Sequence, residues 1–275
     1  MAGKLYLVGT PIGNLRDLSP RAAEIFEAVD FIAAEDTRVT VKLLNHLDIK
    51  KPLVSYYKHN SAASGEKILA RLLMGESCAL VSDAGMPAIS DPGEDLTALC
   101  AENGVEVIVV PGPCAAVCAL ALSGLPTGRF TFEGFLSTAK KSRFQHLEAL
   151  KNEPRTMIFY EAPHKLHATL RDMLTYFGDR RISISRELTK LHEETLRFTL
   201  SAAVTYFEEN PPRGEFVLII EGAAPEVAPE LSMEDAVRRV LELRDSGLSL
   251  KDAAKRCSEE TGYPKNALYD RALKS

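Results

Sequence analysis

Ser77-Cys-Ala-Leu-Val-Ser-Asp-Ala-Gly-Met-Pro-Ala-Ile-Ser-Asp-Pro-Gly93 carries an apolar run straight into a loop with two aspartates, two prolines and two glycines in residues 82–93. A turn needs one or two such residues to set its dihedral angles. Six in twelve predict a rigid, irregular backbone whose N–H and C=O groups face a polar ligand, with Met86 and Ile89 as apolar wall. Open α/β sheets place ligands at such loops, beyond the carboxyl ends of their strands. Gly9-Thr-Pro-Ile-Gly-Asn-Leu15 follows an apolar run in the same way. Pro111-Gly-Pro-Cys-Ala-Ala116 turns a third run directly into a helix whose small residues admit a planar ring. A plain Pro/Gly turn is the competing reading of the first of these two. Close helix packing, with Cys114 and Cys118 four apart, competes for the second.

Around these loops, β-branched apolar runs alternate with helical patterns over the first 220 residues, which implies an α/β fold. Strands are expected at 4–8, 30–33, 77–82, 105–110, 131–133, 155–160, 181–185, 196–200 and 215–221. Ser19 followed by Pro20 is a helix N-cap and first helical residue, and Ile68, Leu69, Leu72 and Leu73 make one apolar helical stripe. Leu122-Ser-Gly-Leu-Pro-Thr-Gly-Arg129 interrupts the periodicity and reads as a linker between lobes 1–122 and 129–222. A Pro-rich connector at 223–230 then precedes a small domain, 231–275, of three helices.

The 275 residues, 45% hydrophobic and 26% charged, exclude disordered and fibrous classes and suffice for about two domains with cores of their own. A net charge of -5 gives no general attraction to nucleic acid. Residues 129–190 nevertheless hold 12 basic against 7 acidic side chains, so one region can face a polyanion. Five cysteines without a CxxC pair fit a reduced, cytoplasmic chain, and the first nine residues lack the pattern of a signal peptide. The uncharged stretch 107–128 is long enough to span a bilayer. Its prolines and glycines divide it into strand, turn and short helix, so no membrane association is expected. No two of the 17 glycines stand two apart, which removes the dinucleotide-binding fingerprint, and no P-loop or Gly-x-Ser-x-Gly elbow occurs. The six histidines are scattered, so no metal site is expected.

Three further clusters stand at predicted strand edges: Phe159-Tyr-Glu-Ala-Pro-His-Lys165, Arg186-Glu-Leu-Thr-Lys190 and Gly214-Glu-Phe216. Taken in order, GTPIGNL (9–15), AAEDTR (33–38), VSDAGMPAISDPG (81–93), PGPCA (111–115), EGFL (133–136), FYEAPHK (159–165), RELTK (186–190), GEFVLIIEG (214–222) and NALYDRAL (266–273) resemble the tetrapyrrole-methylase-like, or class III, S-adenosylmethionine-dependent methyltransferases. Within that superfamily they resemble the ribosomal RNA small subunit methyltransferase I family. The resemblance implies two α/β lobes with the cofactor in the interlobe cleft, a small C-terminal helical domain, and a homodimer. It also implies 2'-O-methylation of a cytidine in the decoding region of 16S rRNA, on the small ribosomal subunit, with S-adenosylmethionine as methyl donor.

Carried over by motif, the cofactor site comprises Pro11, Ile12, Gly13, Asp83, Ala84, Gly85, Met86, Ile89, Ala115, Ala116, Tyr160, Leu188 and Glu215. Methyl transfer to a ribose hydroxyl calls for a proton acceptor or a cation beside the developing alkoxide. Asp36, Glu161 and Glu187 are candidate bases, and Arg38, Arg186 and Lys190 candidate stabilisers, with cleft salt bridges as the competing role for each. Phosphate contacts are expected from Arg38, Lys140, Lys141, Arg143 and Lys165. Met86 stands where the family more often has Thr, and Ser137 where Pro usually follows Gly-Phe-Leu. Methylation of a tetrapyrrole or other small molecule, and a non-catalytic ribosome-assembly role, are the rival functions.

Overall fold

A computed structural model describes residues 2–224 and 231–274. In chain order it holds β1 (Lys4–Val8), α1 (Pro20–Ala28), β2 (Phe31–Ala34), α2 (Thr37–His46), β3 (Leu53–Ser55), α3 (Ser61–Leu73), β4 (Cys78–Val81), α4 (Glu94–Glu102), β5 (Glu106–Val110) and α5 (Ala115–Ser123). The second lobe follows with β6 (Phe130–Phe135), α6 (Lys140–Ala149), β7 (Thr156–Glu161), α7 (Pro163–Phe177), β8 (Arg181–Arg186), β9 (Glu194–Thr199), α8 (Leu200–Glu209) and β10 (Phe216–Ile220). Helices α9 (Met233–Asp245), α10 (Leu250–Thr261) and α11 (Lys265–Leu273) complete the chain.

The first sheet is wholly parallel, in the order β3-β2-β4-β1-β5. Every residue of β2 and β4 is buried, as expected of strands covered on both faces by crossover helices. Ser19 caps α1 by accepting from the Ala22 N–H, with Pro20 at the first turn. In α3, Ile68, Leu69 and Leu72 face the core, whereas Leu73 is 49% exposed and leaves the expected stripe, because a fourth position at that spacing overshoots the buried face. The second sheet is mixed, ordered β6-β7-β10-β8-β9, with β6 parallel to β7 and the other pairs antiparallel.

All nine expected strands form, with ends shifted by a few residues. Leu200, read as the last residue of a strand, instead opens α8, because the Thr199 side chain accepts from the Ala202 N–H and caps the helix. The short edge strand β3 is an addition to that reading. Helix α5 leaves the first sheet but packs on the second: Ala116, Ala119 and Leu120 share a buried cluster with Ile158, Val217 and Ile219.

Helices α9 to α11 form a separate compact unit around Val240, Ala253, Ala254, Cys257 and Leu268, all fully buried. Ser232 and Ser249 cap the first two of these helices. Of the expected connector, residues 225–230 lie outside the described residues. No helix among the described residues is long and apolar enough to cross a membrane.

Candidate active site

Three loops meet at the carboxyl ends of β1, β4 and β5. Thr10 and Gly85 exchange backbone hydrogen bonds of 2.9 and 3.1 Å, which tie the first loop to the second. Gly9 donates to the Val110 carbonyl at 3.1 Å, so the third loop lies against the first. Gly85 is left-handed, and so are Ala88 and Ser90, each at φ +66°, a conformation that costs a non-glycine residue of order 1 kcal/mol. Such strain, concentrated in residues 82–93, marks a loop held in shape by its surroundings.

The second lobe supplies the facing wall. At the end of β7, Tyr160 packs against Phe132 and Phe135, with ring centroids 5.1 and 5.5 Å away. Its hydroxyl oxygen accepts from the Ala116 N–H at 3.2 Å, satisfying a free donor in the first turn of α5. Burial pushes the Tyr160 phenol up to about 12. A phenol so raised favours folding below its ordinary value near 10 and loses that contribution as pH climbs through 12. A difference titration against Tyr160→Phe is therefore expected to show one phenol ionising near 12. Ionisation near 10 would mean that the ring is solvated.

Between the walls lies a cavity of about 350 Å³, within the range of small-ligand sites. Of the expected cofactor residues, Ile12, Ala84, Gly85, Met86, Ile89, Ala115, Tyr160, Leu188 and Glu215 line it. Ala116 stands behind the wall, holding Tyr160. Pro11, Gly13 and Asp83 do not line this cavity. They face a second one of about 240 Å³, which Thr10 and Ser82 also line. Asp91, Phe135, Glu161 and Val217 line the first cavity without having been expected in the cofactor set. The Asp-Pro-Gly end of the loop was the available signal for Asp91, whose carboxyl is pushed up by burial and then by Asp83.

Glu187 and Thr189 are both left-handed, at φ +51° and +65°, in the tight turn after β8. That turn brings the Lys190 Nζ to 3.0 Å from Glu187 Oε1 and 2.9 Å from Glu215 Oε2. Burial pushes the Glu187 carboxyl up, yet Lys190 and the Glu215 N–H outweigh it and hold the carboxyl below its ordinary value. Burial likewise opposes the Lys190 ammonium, but its two carboxylate partners raise it. The result is a fixed cation at the cavity rim. Arg186 turns away to an ion pair with Glu194 at 2.7 Å, so as it stands it is a strand-pairing charge rather than a stabiliser at the rim.

Asp36 caps α2 and is gripped by its own neighbour: Arg38 donates to Oδ1 from Nε at 3.0 Å and to Oδ2 from Nη2 at 2.6 Å. These bonds take the Asp36 carboxyl down to about 2, which makes it a poor base as it stands. Glu161 is only 3% exposed and accepts from Ala162 N and Thr169 Oγ1.

Lys140 and Lys141 are exposed in the first turn of α6, and Lys165 is half-buried in the first turn of α7. The Arg38 side chain is 87% exposed beside Asp36. Arg143 corrects the expectation of a phosphate contact. It lies one turn further along α6 on the inner face, 8% exposed, with its guanidinium 2.6 Å from Asp172. Among the described residues no cluster of His, Cys, Asp or Glu could hold a metal ion.

The family model described as Tetrapyrrole (Corrin/Porphyrin) Methylases matches residues 4–204, and one described as the RsmI C-terminal HTH domain matches 232–275. The chain is similar to proteins named ribosomal RNA small subunit methyltransferase I. The one from Synechocystis is 51% identical, covering 98% of both chains. The one from Halalkalibacterium halodurans is 49% identical, covering 98% of this chain and 94% of its own. The fold resembles a solved uroporphyrin-III C-methyltransferase from Thermus thermophilus complexed with S-adenosylhomocysteine, at 18% identity and a TM-score of 0.55, covering 79% of this chain and 97% of that one.

Proposed function

The chain belongs to the ribosomal RNA small subunit methyltransferase I family of tetrapyrrole-methylase-fold enzymes, and from that premise we propose that it methylates a cytidine 2'-oxygen in the decoding region of 16S rRNA. In this reading the assembled small subunit is the substrate, the cytoplasm is the compartment and a homodimer is the working form. Lobe 1–122 carries the cofactor loops, lobe 129–222 the cofactor and RNA wall, and 231–275 a helical domain of its own.

The observation that carries the reading is the cavity between the two lobes. Ile12, Met86, Ile89 and Leu188 give it apolar walls, while Asp91, Glu161 and Glu215 give it negative charge. Aromatic faces at Phe135 and Tyr160 complete a lining suited to a ligand that is part planar ring and part cation. S-Adenosylmethionine fits that description, and when bound it supplies an electrophilic methyl carbon on a sulfonium.

The protein's part is to hold that carbon in line with the ribose oxygen and keep water away. The left-handed loop residues and the Thr10–Gly85 bridge fix one side of the alignment. Tyr160, locked to α5, fixes the other. Lys190 stabilises negative charge gathering on the 2'-oxygen, and the carboxylates it joins, Glu187 and Glu215, are the nearest acceptors for the departing proton. The proton leaves for one of these carboxylates as the methyl arrives, so the oxygen ends as a neutral ether.

The test is methyl transfer from labelled S-adenosylmethionine to small subunits from cells lacking this protein, with free rRNA in parallel and nucleoside analysis afterwards. Label in 2'-O-methylcytidine supports the proposal. Cofactor binding without label on either RNA form overturns it.

Charge on the rim of the second lobe is expected to set RNA affinity. Replacing Lys140 and Lys141 together by Glu should weaken subunit binding about tenfold or more and lower its salt slope by about 2, sparing cofactor binding. Arg143→Ala should instead destabilise the fold by about 3 kcal/mol, since Asp172 loses the partner of a largely buried pair. Subunit binding and melting temperature of the two variants separate these effects. Unchanged affinity in the lysine variant would remove this helix end from the interface.

A further inference from the structure

Strands β8 and β9 pair antiparallel and two residues would suffice to join them, yet residues 187–193 do so. The longer turn is closed on itself. Thr189 N–H donates to the Glu193 carboxylate at 2.6 Å, Glu193 N–H to the Lys190 carbonyl at 3.1 Å, and Lys190 N–H to the Glu187 carbonyl at 3.0 Å. Two glycines brace it from outside. A Cβ on Gly13 would lie 2.5 Å from Lys190 Cγ and 2.9 Å from Thr189 Oγ1, and one on Gly214 would lie 2.6 Å from the Glu187 carboxylate. With Glu187 and Thr189 left-handed, these contacts hold a strained turn in a single shape.

At its tip stand Leu191 and His192, both exposed. Leu191 is 93% exposed, the most of any large apolar side chain among the described residues. Neither residue lines the cofactor cavity. Leu191 directly follows Lys190, whose ammonium faces the ribose oxygen in the proposed reaction, and adjacent Cα atoms stand about 3.8 Å apart. A contiguous apolar patch would suit a protein partner, because the cores of such contacts exclude charge. Here one apolar side chain and one planar ring stand between Lys190 and Glu193 instead. That pattern suits RNA: apolar side chains wedge between base steps, and a histidine ring stacks on an uncovered base face. A ribose drawn to the Lys190 rim carries its nucleotide away from its stacked neighbours and leaves such faces uncovered.

From this arrangement we infer that Leu191 and His192 enter the gap left by the target nucleotide and hold it out of the RNA stack with its ribose at Lys190. The inference rests on the proposed reaction and adds the residues that present the nucleotide to it.

The experiment uses the full-length protein and small subunits from cells lacking it, in single-turnover methyl transfer at saturating subunit concentration, with subunit affinity measured separately. His192→Ala should slow transfer about tenfold, the scale of one lost stacking contact. His192→Phe, which keeps a flat ring without its nitrogens, should restore the rate to within about threefold of the parent. Leu191→Lys should also slow transfer about tenfold, although its added charge attracts phosphate and keeps or raises subunit affinity. Cofactor affinity, melting temperature and molecular mass in solution should match the parent in all three variants. Parental rates in His192→Ala and Leu191→Lys would overturn the inference, and so would a loss confined to subunit affinity. An altered mass would place the tip between protein copies and overturn it as well. A His192→Phe variant as slow as His192→Ala would exclude stacking. No transfer by the parent protein would overturn the reaction itself.

Discussion

Gly112→Ala is expected to destabilise the α/β unit by about 3 kcal/mol, at the upper end for overpacking, and to abolish cofactor binding with it. A Cβ on Gly112 would lie 2.8 Å from the Cα and carbonyl carbon of Gly9, and a Cβ on Gly9 would lie 2.6 Å from the Gly112 Cα. Both obstacles are backbone, so no side chain can rotate to make room. Relief requires separating the loops after β1 and β5, and the Gly9–Val110 hydrogen bond goes with them. The melting temperature should fall by roughly 6–12 °C for a unit of this size. Thermal unfolding followed by circular dichroism measures it, with cofactor titration below the transition. An alanine variant that melts with the parent would mean that the two loops are not packed backbone to backbone in solution.

Lys190→Met is expected to slow methyl transfer by about a hundredfold, the lower end for loss of one preorganised charge at a reacting oxygen, while the cofactor still binds. The substitution keeps most of the stem and removes the ammonium that joins Glu187 to Glu215. Glu187 then loses the principal partner that holds its pKa down, and burial drives its carboxyl upward. A carboxyl with a lowered folded-state value stabilises the fold above its unfolded value and loses that contribution as pH falls through the folded one. Without Lys190 both the acid limb of the rate profile and the acid edge of stability should therefore move to higher pH. Single-turnover rates across the acid range, compared with the parent, test the shift. A uniform drop with an unmoved acid limb would reduce Lys190 to a structural tie.

Much of this architecture is legible in the chain because its signals are strong and local. Strands β2 and β4 are buried on both faces, and so read as unbroken apolar runs. The glycines and prolines after β1, β4 and β5 mark the places where the backbone must depart from regular structure. Strand β3 escaped because three residues are too few to show alternation. The direction of individual loop residues escaped for a different reason. Ile12 and Pro11 part company only once the Thr10–Gly85 bridge is made, and that bridge joins residues 75 positions apart. Arg143 sits in a basic run, Lys-Lys-Ser-Arg, that looks uniformly exposed. Its place four residues before the fully buried Leu147 puts it on the inner face of α6, and the Asp172 that meets it there comes from another helix.

Helix α5 begins at the end of the first sheet's edge strand and buries its apolar face against the second sheet. Opening the lobes like two plates on a hinge would expose that face to water, at roughly 1.5–3 kcal/mol for Leu120 alone. That burial resists opening, so the mouth of the cavity is expected to keep its width as ligands come and go. Calorimetry should then report a small negative heat-capacity change on cofactor binding, set by the apolar area the ligand itself covers. Association should proceed in a single bimolecular phase that stays linear in cofactor concentration, with no plateau from a gating step.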